Sequence, residues 1–177
     1  MNSFYPWLIL LAPFTSATVI TLFTLRWKSL SSAISIAAVL VSFCCSCVIF
    51  SQSATSAPEF VWLDLKPIFH VPFGLTLDRL SRTMAVLVSG VGALIHIYSF
   101  GYMREDEGKS RYFAALSLFM FAMLGIVFAN NFVMLFIFWE LVGFTSYVLI
   151  GHWFFRDAAA EAANKAFITH GLAISDS

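Results

Sequence analysis

Residues 132–151 read FVMLFIFWELVGFTSYVLIG, a stretch of 20 residues whose only charged side chain is Glu140. About 20 predominantly apolar residues are enough to cross the hydrocarbon core of a bilayer as a helix. Glu140 lies about eight residues into the stretch, which corresponds to a depth of roughly 12 Å at the rise of an α-helix. The stretch therefore predicts a transmembrane helix with a carboxylate near its middle.

The composition of the whole chain indicates the same class. Of its 177 residues, 60% are hydrophobic and 11% are charged, and the mean hydropathy is +0.86. Soluble domains carry about 25% charged residues, so we expect a polytopic membrane protein in contact with the lipid bilayer. Ten basic and ten acidic residues cancel. Without a basic run, the sequence predicts no nucleic-acid partner.

The uncharged gaps between charged residues indicate the number of spans. The chain is uncharged before Arg26, and between Arg111 and Arg156 only Glu140 is charged. That last gap holds two spans if the chain turns at residues 130–131, an Asn-Asn pair. We predict an all-α fold with about five transmembrane helices, at 5–25, 31–51, 80–103, 112–129 and 132–154.

The predicted organisation has a short external β-hairpin between helices two and three. The sequence FVWLDLKPIFHVPFGLTL, residues 60–77, is rich in aromatic and β-branched residues and contains Pro67, Pro72 and Gly74 as breakers. Asp78 is the expected N-cap of helix three. The chain then divides into helices one and two (1–51), the external loop and hairpin (52–78), helices three to five (79–154), and an interfacial helix or the start of a sixth helix (155–177).

Basic residues predict the orientation of the helices. An external N-terminus would leave seven basic residues inside and three outside, in agreement with the positive-inside rule. The inside set is Arg26, Lys28, Arg104, Lys109, Arg111, Arg156 and Lys165, and the outside set is Lys66, Arg79 and Arg82. The segment MNSFYPW lacks the basic start of a signal peptide, so we expect helix one to remain as an anchor.

Glu140 is the main candidate functional residue. An acidic group at such a depth costs on the order of 2.5 to 3.5 kcal/mol on insertion scales, and intramembrane carboxylates tend to mark ion pathways. Helical spacing places Gly143, Tyr147 and Gly151 on the same face, with Tyr147 as a candidate hydrogen-bond partner. The alternative is a permanently protonated carboxyl group that only tethers neighbouring helices.

Three further features of the sequence are weaker candidates for functional sites. His96 in predicted helix three is a candidate proton relay or a packing residue, and Lys165 is a candidate charge partner on the cytoplasmic side. The CCSC stretch at 44–47 favours small packing residues over a redox site. We expect no cofactor in this chain and no metal site, since the remaining histidines are scattered.

Several stretches resemble a known family. They are LDRLS (77–81), GALIHIYSFGYMREDEGKSRYFAALSLFMF (92–121), ANNFVMLFIFWELVGFTSYVLIGHWF (129–154) and KAF (165–167). These stretches resemble the N-terminal part of subunit L of the proton-pumping NADH:quinone oxidoreductase, respiratory complex I. The large subunits of Na⁺/H⁺ antiporters and a membrane subunit of bacterial inorganic-carbon uptake complexes are similar.

The resemblance implies a proton-translocating subunit of a bacterial inner-membrane complex, with other membrane subunits as partners and without a redox site of its own. Glu140 would be the membrane carboxylate of the proton channel, paired with a lysine on a later helix. Members of the family continue after KAF with an Arg-x-Gly-Asp element, whereas residues 168–177 here read ITHGLAISDS. We therefore also expect a truncated or frame-shifted sequence, and a transport-inactive, structural fragment is the alternative function.

Overall fold

Five long helices dominate the computed structural model, which describes residues 4–51, 60–65, 69–153 and 161–166, with the backbone alone for 60–65 and 69–71. The helices are α1 (Tyr5–Val19), α2 (Lys28–Phe50), α3 (Arg79–Tyr102), α4 (Lys109–Phe128) and α5 (Phe132–Ile150). A π-helical segment, Ile20–Thr24, continues α1, and with it each of the five is long and apolar enough to cross a membrane. The predicted all-α membrane fold with five spans is confirmed.

Two helices begin earlier than predicted. Helix α2 begins at Lys28 and α4 begins at Lys109, each three residues before its predicted start. The predicted boundaries followed the edges of uncharged stretches. A charged residue is costly in the bilayer core but is compatible with helical backbone, so the helix extends beyond the apolar span.

The chain between α2 and α3 contains two short antiparallel strands, β1 (Phe60–Leu65) and β2 (Phe69–Phe73). Their pairing agrees with the predicted hairpin. Beyond β2, the Thr76 amide donates to the carbonyl of Phe128 at the end of α4, at 2.9 Å. The segment after the hairpin is thereby held against the turn between α4 and α5.

Side-chain caps start α3 and α5. Oδ1 of Asp78 accepts a hydrogen bond from the Ser81 amide at 2.6 Å, which confirms the predicted N-cap. Oδ1 of Asn131 accepts from the Met134 amide at 2.9 Å, and its Nδ2 donates to the Pro72 carbonyl at 2.7 Å. Asn131 therefore ends the turn between α4 and α5 and ties the start of α5 to β2.

Helix α4 is the central helix of the described bundle, because it packs against each of the other four. Small polar residues allow the close approach of α1, α2 and α4. The Ser117 hydroxyl lies 2.6 Å from the Ser35 hydroxyl and 3.1 Å from the Ser16 hydroxyl, and all three are buried. Helix α5 packs mainly on α4 and is the least buried of the five.

Candidate functional site

Glu140 lies near the middle of α5, nine residues after the Asn131 cap. At the helical rise it is about 12 Å from the first residue of α5 and about 15 Å from the last. Its side chain is half-buried. Across the part of the chain that the structure describes, no side chain forms a hydrogen bond or ion pair with the Glu140 carboxyl group.

The predicted stripe along α5 is divided between two environments. Gly143 is buried, whereas 37% of Tyr147 is exposed and Glu140 is intermediate. Gly151 belongs to a 3-10 turn (Gly151–Trp153) that follows α5. Phe138 of α5 packs on α4 beside Gly125, and at about 100° per residue Glu140 lies on nearly the opposite face of α5, partly exposed.

His96 lies in α3 and is fully buried. Its Nδ1 is 2.7 Å from the Gly92 carbonyl oxygen, so Nδ1 carries the proton and Nε2 offers a lone pair. Among the described residues this Nε2 has no hydrogen-bond partner. The nearest ring is that of Phe113 on α4, with 6.3 Å between the centroids.

The structure does not bring His96 and Glu140 together. Helix α4 packs against both α3 and α5, which share no comparable contact with each other. The predicted relay residue and the predicted channel carboxylate therefore lie on two helices that both contact α4 but make little contact with each other.

Lys165 lies in a helical segment at 161–166, and its side chain is exposed. A Cβ atom placed on Gly151 would lie 3.5 Å from the Cβ of Ala163, so this segment is close to the C-terminal end of α5. Gly151 is about 16 Å along the helix from Glu140. The role of Lys165 as a charge partner on the cytoplasmic side remains a prediction.

A cluster around Asp106, in the loop between α3 and α4, was missed by the sequence analysis. The Asp106 carboxylate accepts hydrogen bonds from the Gly108 amide (2.6 Å) and from the Trp153 indole (2.8 Å), and His152 Nε2 is 3.2 Å away. Burial alone would raise the pKa of Asp106, but these hydrogen bonds from Trp153, His152 and Gly108 outweigh it and lower the pKa. We call Asp106, His152 and Trp153 the Asp106 cluster.

The sequence carries little signal for this cluster. His152 is one of four histidines that are far apart in the sequence, and Asp106 lies 46 residues before it. Only the antiparallel arrangement of α4 and α5 brings them together, because it places the start of α4 beside the end of α5. The only indication of this cluster in the sequence is that Asp106 lies just before α4 and His152 lies just after α5.

Lys109 is a second buried charge that the sequence analysis did not identify as a site. Its Nζ donates to the Phe100 carbonyl at 3.3 Å and lies 4.3 Å from the centroid of the Phe100 ring. The cation–π contact and the carbonyl offset part of the cost of burial. Lys109 joins the end of α3 to the start of α4.

A metal or redox site requires several suitable side chains close together. Within the described ranges there is no group of three or more His, Cys, Asp or Glu side chains that could hold a metal ion. The three cysteines of α2 are free thiols. The predicted absence of a cofactor remains a prediction.

Comparisons with known proteins agree with this architecture. The family model "NADH-Ubiquinone oxidoreductase (complex I), chain 5 N-terminus" matches residues 62–113, and "NADH:quinone oxidoreductase/Mrp antiporter, TM" matches residues 129–176. NADH-quinone oxidoreductase subunit L of Mycobacterium tuberculosis is 36% identical over 98% of this chain. The chain belongs to the complex I chain 5 family of antiporter-like membrane subunits.

Two further relatives are NAD(P)H-quinone oxidoreductase subunits. The chloroplastic NAD(P)H-quinone oxidoreductase subunit 5 of Chlorokybus atmophyticus is 40% identical over 94% of this chain. NAD(P)H-quinone oxidoreductase chain 5 of Picosynechococcus is 52% identical over 58% of the chain. The chain spans 29% of the length of the Mycobacterium relative and 27% of the Chlorokybus relative.

Proposed function

We propose that this chain contributes part of the proton path of a membrane-bound NADH:quinone oxidoreductase, with Glu140 as the carboxyl group that takes up and releases the proton. The observation that carries this proposal is the position of Glu140, half-buried near the middle of α5 and without a partner among the described residues. A carboxylate is costly at that depth, and such residues commonly serve ion movement.

A carboxyl group that exchanges a proton works with a cation nearby, because an opposite charge favours the ionised form. The family resemblance suggests a lysine on a later helix as that cation. His96 of α3, whose Nε2 has no hydrogen-bond partner among the described residues, is proposed as a separate proton-accepting group.

The remaining parts of the proposal concern location and partners. We place the protein in a bacterial inner membrane with its N-terminus outside, on the basis of the distribution of basic residues. Other membrane subunits of the complex would be its partners, and these would carry the redox chemistry. The alternatives are a subunit of a related Na⁺/H⁺ antiporter or carbon-uptake complex and a structural fragment without transport activity.

The test is a Glu140→Gln substitution in the assembled complex. Glutamine keeps the volume and hydrogen-bonding groups of Glu140 but cannot exchange the proton. We expect normal assembly and a lower proton-to-electron ratio in reconstituted vesicles. Glu107→Gln, which removes an exposed carboxylate from the loop before α4, is the matched control. An unchanged ratio in the Glu140 variant would leave Glu140 with a structural role.

A further inference from the structure

Helix α5, which carries Glu140, packs along one side only within the part of the chain that the structure describes. There it is the least buried of the five spans, and α4 is the long helix with which it makes extensive contact. A helix held along one edge can rotate or tilt unless its ends are restrained. The Asn131 side chain restrains the start of α5 through the Pro72 carbonyl.

The Asp106 cluster provides the corresponding restraint at the other end. Each carboxylate oxygen of Asp106 contacts a different residue of the turn that follows α5. Oδ1 is 3.2 Å from His152 Nε2, and Oδ2 accepts from Trp153 Nε1 at 2.8 Å. Hydrogen bonds to an ionised acceptor are roughly twice as strong as neutral ones, and two adjacent anchors limit rotation better than one.

Close packing around the His152 ring makes the arrangement specific. His152 is buried, and its ring meets Tyr112 of α4 edge-on, with 5.3 Å between the centroids. A Cβ atom on Gly108 would lie 2.8 Å from His152 Cε1. Glycine at 108 therefore lets the loop backbone approach the imidazole and brings the Asp106 carboxylate within reach.

We propose that Asp106 is a positioning residue that fixes the C-terminal end of α5, and with it the orientation of Glu140, through His152 and Trp153. The part that concerns α5 stands on geometry alone. The consequence for proton movement rests on the proposed function of Glu140. None of the three residues touches the transferred proton in this proposal, since Glu140 is 12 residues before His152.

Hydrogen exchange followed by mass spectrometry, on the purified chain in lipid nanodiscs, tests the positioning role. Asp106→Ala removes both acceptors, and Trp153→Phe removes one donor while it keeps an aromatic ring. We expect amide exchange in the last turn of α5 to accelerate roughly tenfold or more with Asp106→Ala, and less with Trp153→Phe. Glu107→Gln, in the same loop, should leave the exchange rate unchanged.

The two substitutions should also be non-additive. If Trp153 acts through Asp106, then adding Trp153→Phe to Asp106→Ala should have little further effect on exchange. Exchange at the wild-type rate with Asp106→Ala, or equal acceleration with Glu107→Gln, would overturn the proposal.

Proton pumping by the assembled complex separates this proposal from the proposed function. We expect the proton-to-electron ratio to fall with Asp106→Ala and to recover partly with Asp106→Asn, whose carbonyl oxygen still accepts one hydrogen bond. If Glu140→Gln lowers the ratio and Asp106→Ala does not, the cluster does not control the orientation of Glu140, and the proposed function stands. If exchange responds to Asp106→Ala but Glu140→Gln leaves pumping intact, the positioning role stands and the proposed function fails.

Discussion

The Ser42 hydroxyl of α2 lies 2.9 Å from the carbonyl of Ile9 in α1, closer than the 3.1 Å to the Ala38 carbonyl of its own helix, and donates to the Ile9 carbonyl. In a regular helix this carbonyl would accept from the amide four residues later, but that residue is Pro13, which has no N–H. Ser42 therefore satisfies a buried acceptor that the proline leaves unpaired. The hydrogen bond joins two neighbouring helices at the point where α1 is weakened.

We expect Ser42→Ala to lower the free energy of unfolding by about 1 to 3 kcal/mol, because the Ile9 carbonyl loses its partner in an apolar interface. Thermal unfolding of the detergent-solubilised chain measures the loss. Ser46→Ala is the control, since Ser46 is also buried on α2 but its hydroxyl donates to the Ser42 carbonyl of its own helix.

Ser42→Ala should lower the free energy of unfolding by a smaller amount when Pro13 is also replaced by alanine. Alanine at 13 restores an amide that can donate to the Ile9 carbonyl, so Ser42 is no longer its only source of a hydrogen bond. A double-mutant cycle gives the coupling between the two positions. Equal losses in both backgrounds would mean that Ser42 acts through packing alone.

Gly125 of α4 should tolerate no larger residue. A Cβ atom there would lie 2.2 Å from Cδ1 of Phe138 on α5, so Gly125→Ala must displace the ring. We expect a loss of about 1 to 3 kcal/mol in the free energy of unfolding, measured by thermal unfolding. Gly101→Ala in α3 is the matched control, because a Cβ atom there has no neighbour within 4 Å.

The sequence predicted the elements of this fold better than their contacts. Uncharged gaps located all five spans, because the bilayer imposes a minimum length on every apolar stretch. Asp78 and the turn at Asn131 were predictable because capping is local. The Asp106–His152 contact and the separation of Glu140 from His96 depend on which helices become neighbours, and hydropathy carries no information about that.

Labelling of single cysteines can test the predicted orientation. Ser51 at the end of α2 and Glu107 in the loop before α4 are both exposed, and the basic residues place them on opposite sides. In a variant without the three native cysteines, a membrane-impermeant reagent added outside intact cells should modify Ser51→Cys and spare Glu107→Cys. A cysteine at Ser110, at the start of α4, would not serve as the probe for this loop, because Ser110 is buried and the reagent could not reach it. The reverse pattern would invert the topology.

Acid should weaken the Asp106 cluster in a predictable direction. Because the folded pKa of Asp106 is lowered, its hydrogen bonds add stability above the ordinary carboxyl pKa. That stability is lost as the pH falls through the lowered value. We expect Asp106→Asn to reduce the dependence of the unfolding temperature on pH in this acidic range. Glu107→Gln serves as the control, and the prediction fails if both variants keep the wild-type pH profile.

The 177-residue chain by itself should insert into liposomes but conduct no protons. Relay across a hydrocarbon core of about 30 Å requires a continuous series of titratable groups or waters. Glu140 and His96 lie on α5 and α3, which make little contact with each other, and most buried residues of α4 are apolar, including Phe113, Leu116 and Met120. The Ser117 hydroxyl of α4 is hydrogen-bonded towards Ser16 and Ser35 of α1 and α2, so no continuous series of polar groups joins Glu140 to His96 among the described residues.

A pH-sensitive dye enclosed in the liposomes measures the proton flux after a step in external pH. We expect the proton flux to be the same with the purified chain and with its Glu140→Gln variant. In both cases it should exceed that of protein-free liposomes by no more than a non-specific leak. Since Glu140→Gln removes only the exchangeable proton, a leak through imperfect packing would persist in both proteins. A flux that occurs with the wild-type chain and disappears with Glu140→Gln would show instead that Glu140 belongs to a path between the two membrane surfaces within this bundle.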